Sequence, residues 1–115
     1  MACVVACTSV ACVPGVILPV KEMMAACRDP SLYGTGVAPL VLVDGAHALG
    51  QIPIDIKDLD PDFYVANAHK WLYSPKGSAF LYVRKSVQEG LSPEPPVISS
   101  SVSPDHPLLI LLLLY

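Results

Sequence analysis

Four short apolar runs, each closed by turn-forming residues, set the pattern of this chain. Cys3-Val4-Val5-Ala6-Cys7 has no polar position and carries β-branched residues, which predicts a strand buried on both faces, as in a parallel sheet. Thr8 and Ser9 end that run and are read as turn residues, near the prospective ligand edge but outside the candidate site. Pro14-Gly15 marks a turn. From Pro19 the apolar positions Val20, Met23, Met24 and Cys27 recur at helical spacing, and proline suits a first helical turn. The predicted helix ends near Arg28, before Asp29-Pro30.

A Gly- and Pro-rich loop from Asp29 to Pro39 leads into Leu40-Val41-Leu42-Val43, a second wholly apolar run that stops at Asp44-Gly45. Strand, helix and strand at this separation form a βαβ unit with parallel strands and a right-handed crossover. After a polar, acidic stretch from Asp55 to Asp62, Phe63-Tyr64-Val65-Ala66 predicts a third strand, ending at Asn67-Ala68-His69-Lys70. Ser74-Pro75-Lys76-Gly77 is a turn, and Ala79-Phe80-Leu81-Tyr82-Val83 returns antiparallel to the third strand. The fold class is therefore α/β, a mostly parallel sheet with one antiparallel returning strand. From about Ser86 the composition shifts to Pro, Ser and Leu, which divides the chain into a domain portion, 1–88, and an irregular tail, 89–115. Within that tail only the apolar end, the run Leu108 to Leu114, reads as a regular element, one that either sticks to an apolar surface or promotes aggregation in an isolated chain.

Composition narrows the picture. At 115 residues there is room for one modest domain and not for a large two-domain enzyme. A net charge of -3 with scattered lysines and arginines leaves no basic stripe for nucleic acid. The four cysteines, Cys3, Cys7, Cys12 and Cys27, form no Cys-x-x-Cys pair and are read as buried thiols. The uncharged stretch Ala2 to Val20 lacks the basic leading region of a signal peptide, and the leucine run is far shorter than the about 20 residues a membrane span needs. The expected location is the cytoplasm or an organelle interior, with no membrane.

Chemistry concentrates where strands end. Ligands in such sheets bind at the carboxyl ends of the strands, where Asp44 with His47 and His69 with Lys70 fall. Alone, each has an ordinary explanation: an Asp closing a turn, a hydrogen-bonded structural His, a solvated Lys. Together they are more informative, because Lys70 leaves an apolar strand into Trp71-Leu72-Tyr73, an enclosure that favours a neutral, nucleophilic amine. A metal site built from Asp44, His47 and His69 leaves the lysine unexplained.

The wording of these segments carries a resemblance. Val41-Leu42-Val43-Asp44-Gly45-Ala46-His47-Ala48-Leu49-Gly50, Ala66-Asn67-Ala68-His69-Lys70-Trp71-Leu72, Pro75-Lys76-Gly77 and Ala79-Phe80-Leu81 resemble the class V aminotransferase-fold enzymes, in their isopenicillin N epimerase-like and cysteine desulfhydrase-like branch. The likeness runs from about Thr8 to Lys85 and includes Pro14 to Glu22. It implies part of the large domain of a pyridoxal-phosphate-dependent transferase of fold type I, similar to aspartate aminotransferase. It implies that Lys70 forms a Schiff base with pyridoxal 5'-phosphate and later moves protons at the substrate α-carbon. Asp44 would pair with the pyridine nitrogen, a contact worth on the order of 4 kcal/mol at about 4 Å and an effective dielectric near 20. His47 would lie near the ring's phenolic oxygen or face, and His69 near the phosphate.

The implied substrate is an amino acid, with carbon–sulfur cleavage of cysteine or epimerisation as the leading reactions, and the full-length relatives look like homodimers. The family's chain is several times longer. The upstream residues that supply much of its phosphate cup, and the small domain that offers an arginine to the substrate carboxylate, are expected to be missing here. The sequence departs from the family after about Ile98, a change that an altered reading frame or splice would explain. The competing expectation is a catalytically inactive remnant that associates with a longer relative through exposed sheet edges.

Overall fold

The computed structural model describes residues 4–11, 13, 15–34, 36–88 and 108–113, with the main chain alone for 4–7 and 108–113. The first strand, β1 (Val4–Thr8), leads into a small hairpin of β2 (Val10–Ala11) and β3 (Val16–Ile17), which the sequence pattern showed only as a turn. The helix α1 (Val20–Cys27) starts after Pro19 and ends at Arg28, whose amide donates to the Met24 carbonyl at 3.0 Å. Its apolar stripe behaves as the spacing predicts: Met24 is buried, and Val20, Met23 and Cys27 pack against the same core. Cys27 is a partly buried free thiol; Cys3 and Cys12 lie outside the described residues, as does the side chain of Cys7.

Next come β4 (Leu40–Asp44), a single helical turn α2 (Ile56–Leu59), β5 (Phe63–Asn67), a second turn α3 (Ala68–Trp71), β6 (Ser78–Val83), a short α4 (Lys85–Gln88) and β7 (Leu108–Leu113). The five long strands form one sheet in the order β1-β4-β5-β6-β7. β1 and β5 flank β4 in parallel, β6 reverses against β5, and β7 reverses against β6. One strand of five thus runs against the rest, as expected from the sequence. Backbone register places Leu108–Leu113 opposite Ser78–Val83, so the apolar end of the tail covers the β6 edge as a strand.

The core lies where α1 crosses the sheet. Met24, Val41, Val43, Tyr64 and Ala66 form its centre, and burying each large apolar side chain contributes roughly 1.5–3 kcal/mol. Tyr64 stacks on Phe80 of the neighbouring strand at a ring separation of 6.3 Å. The acidic stretch expected to be a polar connection has two structural tasks. Asp55 caps α2 by accepting from the amides of Lys57 and Asp58 at 2.9 and 3.1 Å. Asp62, 4% exposed, accepts from the Val41 amide at 2.7 Å and pairs with Arg28 at 3.2 Å and Arg84 at 3.3 Å. This network ties α1, β4 and β6 together at the amino ends of the parallel strands, opposite Asp44.

Candidate active site

Asp44 is the last residue of β4, paired in register with Thr8 of β1 and Val65 of β5. Its main-chain oxygen accepts from the Ser9 amide at 3.0 Å, the Ser9 hydroxyl at 3.2 Å and the Thr8 hydroxyl at 3.4 Å. Its side-chain Oδ1 accepts from the Ala46 amide at 2.9 Å, a turn that starts the chain toward His47. The next residue must be glycine. A Cβ at position 45 would stand 2.0 Å from the Tyr64 hydroxyl oxygen and 2.2 Å from its Cζ.

Tyr64 is 1% exposed, and among the described residues its hydroxyl has no hydrogen-bond partner of good distance and angle. Burial pushes the phenol above its ordinary 10.0; the nearby Ser9 hydroxyl opposes the shift and the charge of Asp44 adds to it. Ser9 gives its proton to the Asp44 carbonyl, so it offsets the burial only in part.

From β5 the chain enters α3 directly, and this turn carries His69 and Lys70. Lys70 Nζ lies 2.9 Å from His47 Nε2. A lysine ammonium can only donate, so the contact makes Nε2 the acceptor and leaves the ring proton on Nδ1 of His47. His69 Nδ1 lies 3.0 Å from the Ser78 carbonyl, which can only accept, so that nitrogen carries the proton and Nε2 is left for another partner. The strand ends therefore bring Asp44, His47 and Lys70 to one edge, while His69 is tethered to the start of β6.

The apolar enclosure expected around Lys70 is not formed. Lys70 is exposed, and so are Trp71, Leu72 and Tyr73, the last with a left-handed φ of 54°. The physical reason lies in the short helix: α3 lasts one turn, and nothing among the described residues covers its outer side. Beside it lies a cavity of about 400 Å³, lined by His47, Gln51, Ile52 and Trp71 and by the hairpin residues Val16 and Ile17. That volume falls within the range of small-molecule sites, roughly 300–1,000 Å³. Among the described residues no group of three or more His, Cys, Asp or Glu side chains is arranged to hold a metal ion.

The family model for class V aminotransferases matches residues 1–103. The chain belongs to the class V aminotransferase family. An L-cysteine desulfhydrase of Arabidopsis thaliana is 38% identical over 76 residues, 66% of this chain and 15% of that protein. A cysteine desulfurase of Pectobacterium atrosepticum is 34% identical over 86 residues, 75% of this chain and 19% of its own length. The crystal structure of the cysteine desulfurase CsdA from Escherichia coli superposes with a TM-score of 0.66 at 26% identity, covering 96% of this chain and 26% of that one. The chain thus spans 15% and 19% of these curated relatives and about a quarter of the solved one. Its sheet is a portion of the large domain of fold type I, and enzymes of this family depend on pyridoxal phosphate.

The residues present suit that group in kind. The edge offers an amine at Lys70, a carboxylate at Asp44 anchored through Oδ1, and an imidazole at His47 that touches the amine and also lines the cavity. The contact not foreseen from sequence is that of Ser9, read there as a turn residue, with the Asp44 main-chain oxygen. Its signal was position: Ser9 follows β1 as Gly45 follows β4, and adjacent parallel strands exchange main-chain bonds at their ends.

Proposed function

We propose that this chain carries the lysine-bearing cofactor edge of a pyridoxal-phosphate-dependent enzyme of amino-acid metabolism, acting at the substrate α-carbon through a Schiff base at Lys70. The favoured reaction is carbon–sulfur bond cleavage of a cysteine-type amino acid, in keeping with the desulfhydrase and desulfurase relatives; epimerisation ranks second. The observation that carries the reading is the 2.9 Å contact between Lys70 Nζ and His47 Nε2 at the sheet edge that also ends in Asp44.

Each residue has a distinct task. Lys70 is the amine that would hold the cofactor and would take and return a proton at the substrate α-carbon. His47 accepts a hydrogen bond from that amine and so orients it. Asp44 would pair with the cofactor's ring nitrogen, and its anchored Oδ1 limits how the carboxylate turns. His69, whose Nδ1 donates to the Ser78 carbonyl, would help hold the cofactor's phosphate through Nε2. When bound, pyridoxal phosphate supplies an electron-poor ring that stabilises negative charge developing next to it. Within this reading the full-length enzyme is a homodimer in the cytoplasm or an organelle interior. Among the described residues no helix is long and apolar enough to cross a membrane.

The exposure of Lys70, Trp71, Leu72 and Tyr73 favours a second reading, a catalytically silent chain that associates with a longer relative. One experiment separates the two. The purified chain is mixed with pyridoxal phosphate, desalted and scanned in the visible, beside Lys70→Ala. A retained band that borohydride fixes onto Lys70, and that the variant lacks, supports the enzyme reading. A folded sample that stays colourless overturns it.

A further inference from the structure

We infer that Ser9 is a positioning residue for Asp44, gripping the aspartate's main chain so that its carboxylate stands in a fixed place at the cofactor edge; this rests on the reading proposed above. The grip has two points. The Ser9 amide and hydroxyl reach the same Asp44 oxygen at 3.0 and 3.2 Å, and Thr8 Oγ1 stands further off at 3.4 Å. A carbonyl oxygen offers two lone pairs, so the two shorter bonds, both from Ser9, take them.

On the opposite side the Gly45 amide donates to the Val65 carbonyl at 2.7 Å, and beneath Gly45 the buried Tyr64 ring leaves no room for a Cβ. Asp44 is thereby held from β1, from β5 and from below. Ser9 is itself 3% exposed, so bulk water cannot substitute for its hydroxyl if it is lost. Small displacements matter at such a position, because a shift of about 1 Å in a supporting group can degrade the reacting geometry strongly. The hydroxyl at position 9 does no chemistry on substrate; it acts through Asp44.

The test uses the full chain with Ser9→Ala, Ser9→Thr and Asp44→Asn. In the chain without cofactor, the main-chain carbonyl carbon of Asp44 and the amide of Gly45 are followed by NMR. Ser9→Ala is expected to move both resonances while the amides of the distant Asp62 network stay in place, and Ser9→Thr, which keeps the hydroxyl, to return them toward wild type. With pyridoxal phosphate added, Ser9→Ala is expected to weaken binding by about tenfold, the lower end of what losing an outer-shell hydrogen bond costs at metal centres. It is also expected to displace the pH profile of the visible absorption in the direction that Asp44→Asn does. Unmoved Asp44 and Gly45 resonances in Ser9→Ala overturn the inference. So does a wild-type absorption profile in Ser9→Ala when Asp44→Asn alters it. If Asp44→Asn binds cofactor with a wild-type profile, the cofactor reading itself fails, and the resonances of the chain without cofactor still decide whether Ser9 holds Asp44.

Discussion

Lys70 Nζ and His47 Nε2 stand 2.9 Å apart although 23 residues separate them in sequence, because β4 and β5 are parallel neighbours whose carboxyl ends open onto the same edge. The turn after Asp44 carries His47, and the turn after Asn67 carries Lys70. If this contact orients the amine, His47→Ala should reduce the yield of cofactor fixed onto Lys70 by borohydride by about tenfold or more, since a hydrogen bond from a charged donor contributes about 1.5–3 kcal/mol. His47→Gln, which keeps an acceptor, should recover part of it. Equal yields in all three chains, measured by mass spectrometry of the Lys70 peptide, would remove His47 from the site.

Much of this arrangement was legible in the sequence, for a physical reason. An uninterrupted apolar run such as Leu40 to Val43 reads as a strand, of which Val41 and Val43 are buried and Leu40 and Leu42 half-buried, and the abrupt polar residue at its end marks the strand's carboxyl end. The helix over Val20–Cys27 was equally plain from its 3.6-residue stripe. The single-turn helices α2 and α3 were not, because four residues show no periodicity. Nor was the role of Asp62, whose burial depends on Arg28 and Arg84 arriving from distant segments. The exposure of Lys70 was misjudged because Trp71, Leu72 and Tyr73 are apolar in sequence, whereas enclosure depends on what packs over them.

Gly45 is fixed by its neighbour, not by its own torsions. Gly45→Ala should destabilise the chain by about 3 kcal/mol, at or above the upper end of ordinary overpacking, because the new Cβ meets a buried ring. Removing only the hydroxyl with Tyr64→Phe should not rescue it, since Cζ and Cε1 remain at 2.2 and 2.6 Å. Tyr64→Phe alone should be close to neutral or slightly stabilising, because the hydroxyl it deletes has no partner. Urea titrations of the three variants check this, and recovery in the double variant would show that the hydroxyl alone makes the contact.

The ion pairs differ in worth according to burial. Lys21 and Asp58 pair at 2.6 Å, but both side chains are more than half exposed, so Lys21→Ala should change stability by less than about 1 kcal/mol. Asp62→Ala should cost more, about 1–3 kcal/mol, because it leaves the buried Val41 amide without its acceptor, while Arg28 and Arg84 keep their bonds to Asp60. A denaturation midpoint that moved equally in the two variants would contradict the bracing role given to Asp62.

Alkaline pH offers a separate test of the buried phenol. Burial, with Asp44 adding, raises the Tyr64 phenol above its ordinary 10.0, so between the two values the folded chain holds a proton that the unfolded chain has lost. Stability then falls as pH rises from about 10, with a limiting slope near 1.4 kcal/mol per pH unit from this one group. Below that pH the group contributes no slope. Tyr64→Phe removes the term while leaving the ring in place, so its stability should decline less steeply than wild type above pH 10 and run parallel to it below. Chemical denaturation at a series of pH values from 8 to 11 measures both slopes. Identical slopes would mean that the Tyr64 hydroxyl reaches water and that the packing of Gly45 against it is looser than a 2.0 Å Cβ approach implies.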